Sequence, residues 1–198
     1  NDFVKVMIPS VGAVLDNEDD YYTMVSMLTA MPVDMMVQLD DMGIDFMSIN
    51  EYELFLMLFG ALKERDTSLI FGGLDLKPFK AVVNPQNETV VLFNKETGAV
   101  IDRSIQGQIA SVLRKIHNLK RNNRKPANQE AREYMLQRAR EKMRRRNRRM
   151  ADSQLEGLIV AMVNTEQFHY GFEGTRELSI YQFNESVRQV IKKIDYDN

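Results

Sequence analysis

The chain has 198 residues, 44% of them hydrophobic and 27% charged, with a formal net charge of −2. That apolar content suffices for a folded core in one domain or two small ones and excludes a globally disordered chain. With no cysteine present, disulfides, thiol catalysis and cysteine-based zinc sites are excluded.

No apolar run approaches the ~18–20 residues of a membrane span. The longest, Leu54–Leu62, falls far short. The first residues, NDFVKVMIPS, lack the basic-then-apolar order of a signal peptide. The expectation is a soluble, non-secreted protein with no membrane contact.

Phe3–Ile8 is short, branched and apolar, which predicts a strand ended by Pro9. Asp16–Asp20 is an acidic turn whose alternating carboxylates resemble a calcium loop. Such a loop needs Gly at its sixth position and a carboxylate at its twelfth. Tyr21 and Met27 stand there, so the acids read better as charge at a helix start. A helix follows over about 19–30, with Tyr21, Met24, Val25 and Leu28 on one face. Pro32 opens a second helix to Asp41, and Gly43 stops it. Asn50 begins a third, with Glu53 placed as in a capping box. From Leu54 to Leu62 this helix is apolar on nearly every side, which predicts central burial.

Leu69–Phe71 before Gly72-Gly73 reads as a strand and turn. The glycine pair fits neither a Walker loop nor a dinucleotide-binding spacing. Phe79–Val83, Thr89–Phe93 and Ala99–Ile101 are three β-like runs separated by turn sequences, predicting a small antiparallel meander. Ser104 is the expected cap of a helix running to about Leu119, with Ile105, Ile109, Val112 or Leu113, and Ile116 inward. The stretch 122–128, with Pro126 inside it, is the clearest hinge. Asn128 then caps a helix over about Gln129–Asn147 whose apolar stripe, Ala131, Met135, Ala139 and Met143 with Leu136 beside it, is thin. Asp152 or Ser153 starts a helix over Gln154–Thr165. An aromatic loop follows at Gln167–Gly174, and Ser179 caps a last helix over about Ile180–Ile194. Nine of the 13 methionines lie between Met7 and Met57 and read first as flexible core filling.

The near-neutral total conceals strong segregation. Residues 114–149 hold 15 Lys/Arg and 3 Asp/Glu, a net +12, while the 113 residues before them carry −10 and the 49 after them −4. Like charges four apart oppose helix formation, so the basic helix calls for an anionic partner. Three readings compete, in this order. It lies on the acidic face of its own chain or of a neighbouring subunit. It binds nucleic acid through phosphates, without sequence preference, since no recognition module is present and Tyr134 alone interleaves with it. Or it is a solvated tract. The expected partner contacts are Arg138, Lys142, Arg144, Arg145, Arg146, Arg148 and Arg149.

The two histidines, His117 and His169, have no helical neighbour that would complete a metal face and read as structural or exposed. Asp40-Asp41 and Glu51/Glu53 read as helix surface rather than acid–base pairs. Serines 10, 104, 153 and 179 fit caps and turns. No catalytic, cofactor or metal site is expected.

Three stretches carry a resemblance: SQLEGLIVAMVNTEQF (Ser153–Phe168), LSIYQFNESVRQVIKKIDYDN (Leu178–Asn198) and INEYELFLMLFGALKERDTSLIFGGLDL (Ile49–Leu76). Together they resemble a group of tail-gene-associated proteins of tailed phages and prophages of Gram-positive bacteria. The resemblance implies a tail-assembly or tail-associated role, as a chaperone near the tape-measure protein or as a minor virion component. It implies work in the host cytoplasm during assembly, and it supplies no catalytic residues.

The expected fold is α+β and predominantly α-helical. An acidic, Met-rich region with a small antiparallel β-meander (1–103) precedes a helical region with the long basic helix (104–198), and the two can share one core. The expected function is non-enzymatic tail assembly through protein–protein contact, with other tail proteins or a second copy as partner. The alternative is a sequence-neutral nucleic-acid-binding accessory protein.

Overall fold

A computed structural model describes residues 4–85, 88–147 and 153–197. Among them the elements follow in this order: α1 (Val11–Leu15), α2 (Glu18–Thr29), a 3-10 turn (Pro32–Met35) leading into α3 (Met36–Asp41), α4 (Glu51–Leu62), α5 (Ser68–Phe71), β1 (Phe79–Val83), β2 (Val90–Asn94), β3 (Val100–Ile101), α6 (Arg103–Ile116), α7 (Gln129–Asn147), α8 (Gln154–Val163), α9 (Phe172–Glu177) and α10 (Ile180–Asp197). The fold is therefore α+β and mainly helical, with a three-stranded antiparallel sheet in the order β1-β2-β3.

Helix α4 joins two hydrophobic clusters, as its almost continuous apolar sequence requires. Its start is a capping box. The Asn50 side chain accepts from the Tyr52 and Glu53 amides at 2.9 and 3.1 Å, and Glu53 accepts from the Asn50 amide at 2.7 Å. Tyr52, Phe55, Phe59 and Leu62 enter the main core with α1, α2, α6, α8 and α10. Leu54 enters a smaller cluster with Val33, Leu39, Phe46 and Leu136, fringed by Met31, Met35, Met36 and Met135. The main core draws residues from both halves of the chain, from Val11 to Val190.

Tyr52 also fixes the sheet. Its hydroxyl proton is shared between the carbonyls of Val90 at 3.1 Å and Ile101 at 3.0 Å. The register pairs Phe79 with Asn94 and Leu92 with Ile101. The turn after β2 is built on Asn94, whose side chain accepts from the Glu96 amide at 2.9 Å.

Several local expectations change in the fold. The described part of Phe3–Ile8 forms no strand. It runs beside α5, with the Met7 amide donating to the Ile70 carbonyl at 2.8 Å, and no second strand lies there to extend a ladder. Leu69–Phe71 is helical, because Asp66 accepts from the Ser68 amide at 3.0 Å and Gly72 closes the turn with φ 61°. Asp102, not Ser104, caps α6 by accepting from the Ile105 amide at 2.9 Å. That helix stops before Leu119 because Asn118 turns left-handed at φ 52°, leaving the Leu119 amide to donate to the Arg114 carbonyl at 2.8 Å. The aromatic stretch after Gln167 forms the short helix α9 from Phe172 onward.

Candidate interaction surface

Asn128 starts the basic helix, accepting from the Ala131 amide at 2.8 Å. Among the described residues of α7 one is buried, Leu136 at 7% exposure, in the small cluster beneath α3. Helical geometry then decides which side chains face the acidic helix. Positions four before and four after Leu136 share its face, and they are Arg132 and Arg140. Arg140 donates to Asp40 at 2.8 Å and to Asp41 at 2.6 Å. Arg132 donates to Asp45 at 3.3 Å, lies 3.8 Å from Asp40, and covers the Phe46 ring with its guanidinium 5.6 Å from the centroid. The two hydrogen bonds to Asp41 and Asp40 hold the Arg140 guanidinium above its ordinary proton affinity.

The inner edge of α7 is thus neutralised by acids of its own chain, and the outer edge is not. Arg138, Lys142, Arg144 and Arg145 are exposed and make no ion pair among the described residues. Arg138 lies 5.8 Å over the Tyr134 ring, itself 60% exposed. Arg146 belongs to the helix, but its side chain is outside the described residues, as are Arg148 and Arg149 entirely. Met143, expected on the apolar stripe, is 41% exposed. The docked face ends at Arg140 because α3 ends at Asp41.

The connection between α6 and α7 is tied down by the same chemistry. Glu51 accepts from Arg114 and, at 2.7 Å, from Arg121. Arg114 also donates to the Thr29 carbonyl at 2.6 Å. Asn122 donates to Asp34 at 2.7 Å. Sequence reasoning missed Arg114, Arg121, Arg132 and Arg140 as structural cations. The signal for the last two was Leu136, the most hydrophobic side chain on the basic helix.

His117 is structural. Its Nε2 lies 3.0 Å from the Tyr21 hydroxyl, its ring packs against Tyr21 and Tyr22, and burial pushes its proton affinity down to about 4. Burial likewise raises the Tyr22 and Tyr52 hydroxyls to about 12. His169 is exposed. Among the described residues no group of three His, Asp or Glu side chains could hold a metal ion, and no helix is long and apolar enough to cross a membrane. Comparison with family models, curated proteins and solved structures finds no match for this chain.

Proposed function

We propose that the protein is a non-enzymatic phage tail assembly or tail-associated protein that works through protein–protein contact. The observation that carries this reading is the division of α7. Arg132 and Arg140 are spent on Asp40, Asp41 and Asp45, while Arg138, Lys142, Arg144 and Arg145 stand outward on a helix held in place. An ordered row of unpaired cations suits an anionic protein face, because electrostatic complementarity steers and registers the encounter. The resemblance of Ile49–Leu76, Ser153–Phe168 and Leu178–Asn198 to tail-gene-associated proteins directs the choice of partner toward other tail proteins, the tape-measure protein among them, or a second copy. The groups with strongly shifted proton affinity are held in structural contacts, His117 with Tyr21 and Tyr22, and Tyr52 with the sheet carbonyls, which favours binding over catalysis.

The test is co-purification of tagged protein with tail components from infected cells, with particle size followed by light scattering. The expected result is a tail complex that Lys142→Glu/Arg144→Glu/Arg145→Glu abolishes without changing the fold. A lone monomer that associates with no tail component would overturn the proposal. So would DNA or RNA binding at micromolar affinity in physiological salt with a steep salt dependence, since that is the signature of phosphate neutralisation.

A further inference from the structure

A cavity of about 760 Å³ lies between the start of α4, the outer side of α6, the turn at Pro32 and the strap from Leu119 to Lys125. Its volume falls within the about 300–1,000 Å³ of pockets that bury a small ligand or a short segment of chain. Pro32, Val33, Met47 and Ile49 give it an apolar floor. The rest of its lining includes five cationic side chains and a single carboxylate, Glu51. Glu51 is already taken by Arg114 and Arg121. Arg103, Arg124 and Lys125 make no ion pair among the described residues.

The second observation is Gln106. It is 3% exposed, it lines this cavity, and its side-chain amide makes no hydrogen bond among the described residues. No buried side-chain nitrogen or oxygen among the described residues lacks a partner, so this amide keeps its contact with the cavity's solvent and is open to a ligand there. The residue presents one donor and one acceptor side by side, which matches the N–H and C=O of an extended backbone.

We infer that this cavity binds a short extended peptide of alternating apolar and acidic residues from a partner protein. An extended chain sends successive side chains to opposite sides. Apolar residues then meet the floor, acidic ones meet Arg103, Arg124 and Lys125, and one peptide group pairs with Gln106. Met47 gives the floor the adaptability that thioether side chains bring to binding surfaces. A nucleobase fits less well, because it needs an open aromatic face to stack on. Phe46 is covered by the Arg132 guanidinium, and the Tyr52 ring is buried and stacked on Phe55. The inference does not depend on the tail assignment or on the outer face of α7.

The probe is a short fluorescein-labelled peptide alternating Leu or Ile with Asp or Glu, followed by anisotropy on the full chain. The expected result is saturable binding that weakens tenfold or more in Gln106→Met, and equally in Arg124→Glu/Lys125→Glu. Both variants should keep the fold, since Gln106 loses no hydrogen bond and the two strap residues are exposed. The side-chain amide protons of Gln106 should shift in NMR spectra on adding peptide. Lys142→Glu/Arg144→Glu/Arg145→Glu should bind the peptide as the parent does, which separates this site from the surface proposed for tail partners. The inference is overturned by no binding, by equal binding of a peptide with Lys in place of the acids, or by binding that Gln106→Met leaves unchanged. It is also overturned if a nucleoside triphosphate displaces the peptide at lower concentration. The same holds if Gln106→Met dissociates a dimer, which would make a second copy the occupant.

Discussion

Glu51 holds two guanidinium groups on one carboxylate, and the side chains of Glu51 and Arg114 are each only 12% exposed. Glu51→Gln would leave Arg114 nearly buried beside a neutral amide. Breaking one side of a buried pair is far more costly than deleting an exposed one, so the expected loss is about 3 kcal/mol, read from urea unfolding. His117 sets a pH window of its own. Burial lowers its folded proton affinity to about 4 from an ordinary 6.5. As pH falls below 6.5 the unfolded chain takes up a proton that the folded chain refuses until about pH 4. Stability is therefore full above pH 6.5 and declines on acidification through that window, by on the order of 3 kcal/mol. The difference in unfolding free energy between pH 7.5 and pH 4.5 should shrink in His117→Gln. Single residues were legible in the sequence wherever a local rule applies. Asn50, Asn128 and Ser179 cap the helices expected of them, and Ser153 does so from the pair Asp152 or Ser153, but Asp102 takes the place expected for Ser104 because both lie near the same helix start. Long-range partners such as Glu51 with Arg114, or Tyr21 with His117, obey no local spacing and were not legible.

At the scale of elements, α7 depends on Leu136. Leu136→Ala should cost about 2–3 kcal/mol of local docking energy. Because the main core contains no α7 residue, hydrogen exchange should speed up across Gln129–Asn147 while α2, α4 and α6 stay protected. The ion pairs of Arg132 and Arg140 add little each, since their side chains and partners are 20–57% exposed, and exposed pairs contribute at most about 1 kcal/mol. Raising salt should weaken α7 docking modestly and leave the core untouched. In the sheet, Tyr52→Phe removes the hydroxyl that bridges Val90 and Ile101, and should cost about 1–2 kcal/mol in thermal or urea unfolding. The bounds of α7 could be read from Asn128 and the charge run. The face it buries could not be read from the stripe of Ala131, Met135, Ala139 and Met143 alone. Leu136 wins because its branched side chain is wholly hydrocarbon, and the row it defines carries Arg132 and Arg140 inward. Leu69–Phe71 misled because three apolar residues fit a strand or a helical turn equally, and Asp66 and Gly72 decide between them.

For the whole molecule, a net charge of −2 says less than its distribution. Arg114 of α6, Arg121 of the strap, and Arg132 and Arg140 of α7 are matched to acids between Asp40 and Glu51. The α+β class and the three-stranded meander were legible because strand alternation and turn residues are local signals. The second cluster beneath α3 was not, because it needs residues from Val33 to Leu136 brought together. The strap has a further consequence, which concerns force. Between α6 and α7 it is fastened by Asn118 to the Asn184 carbonyl, by Arg121 to Glu51 and by Asn122 to Asp34. A tug on the basic helix is therefore spread over three anchor points on separate elements before any reaches the interior. A rod moored in that way can bear a load at its far end while the body behind it keeps its shape.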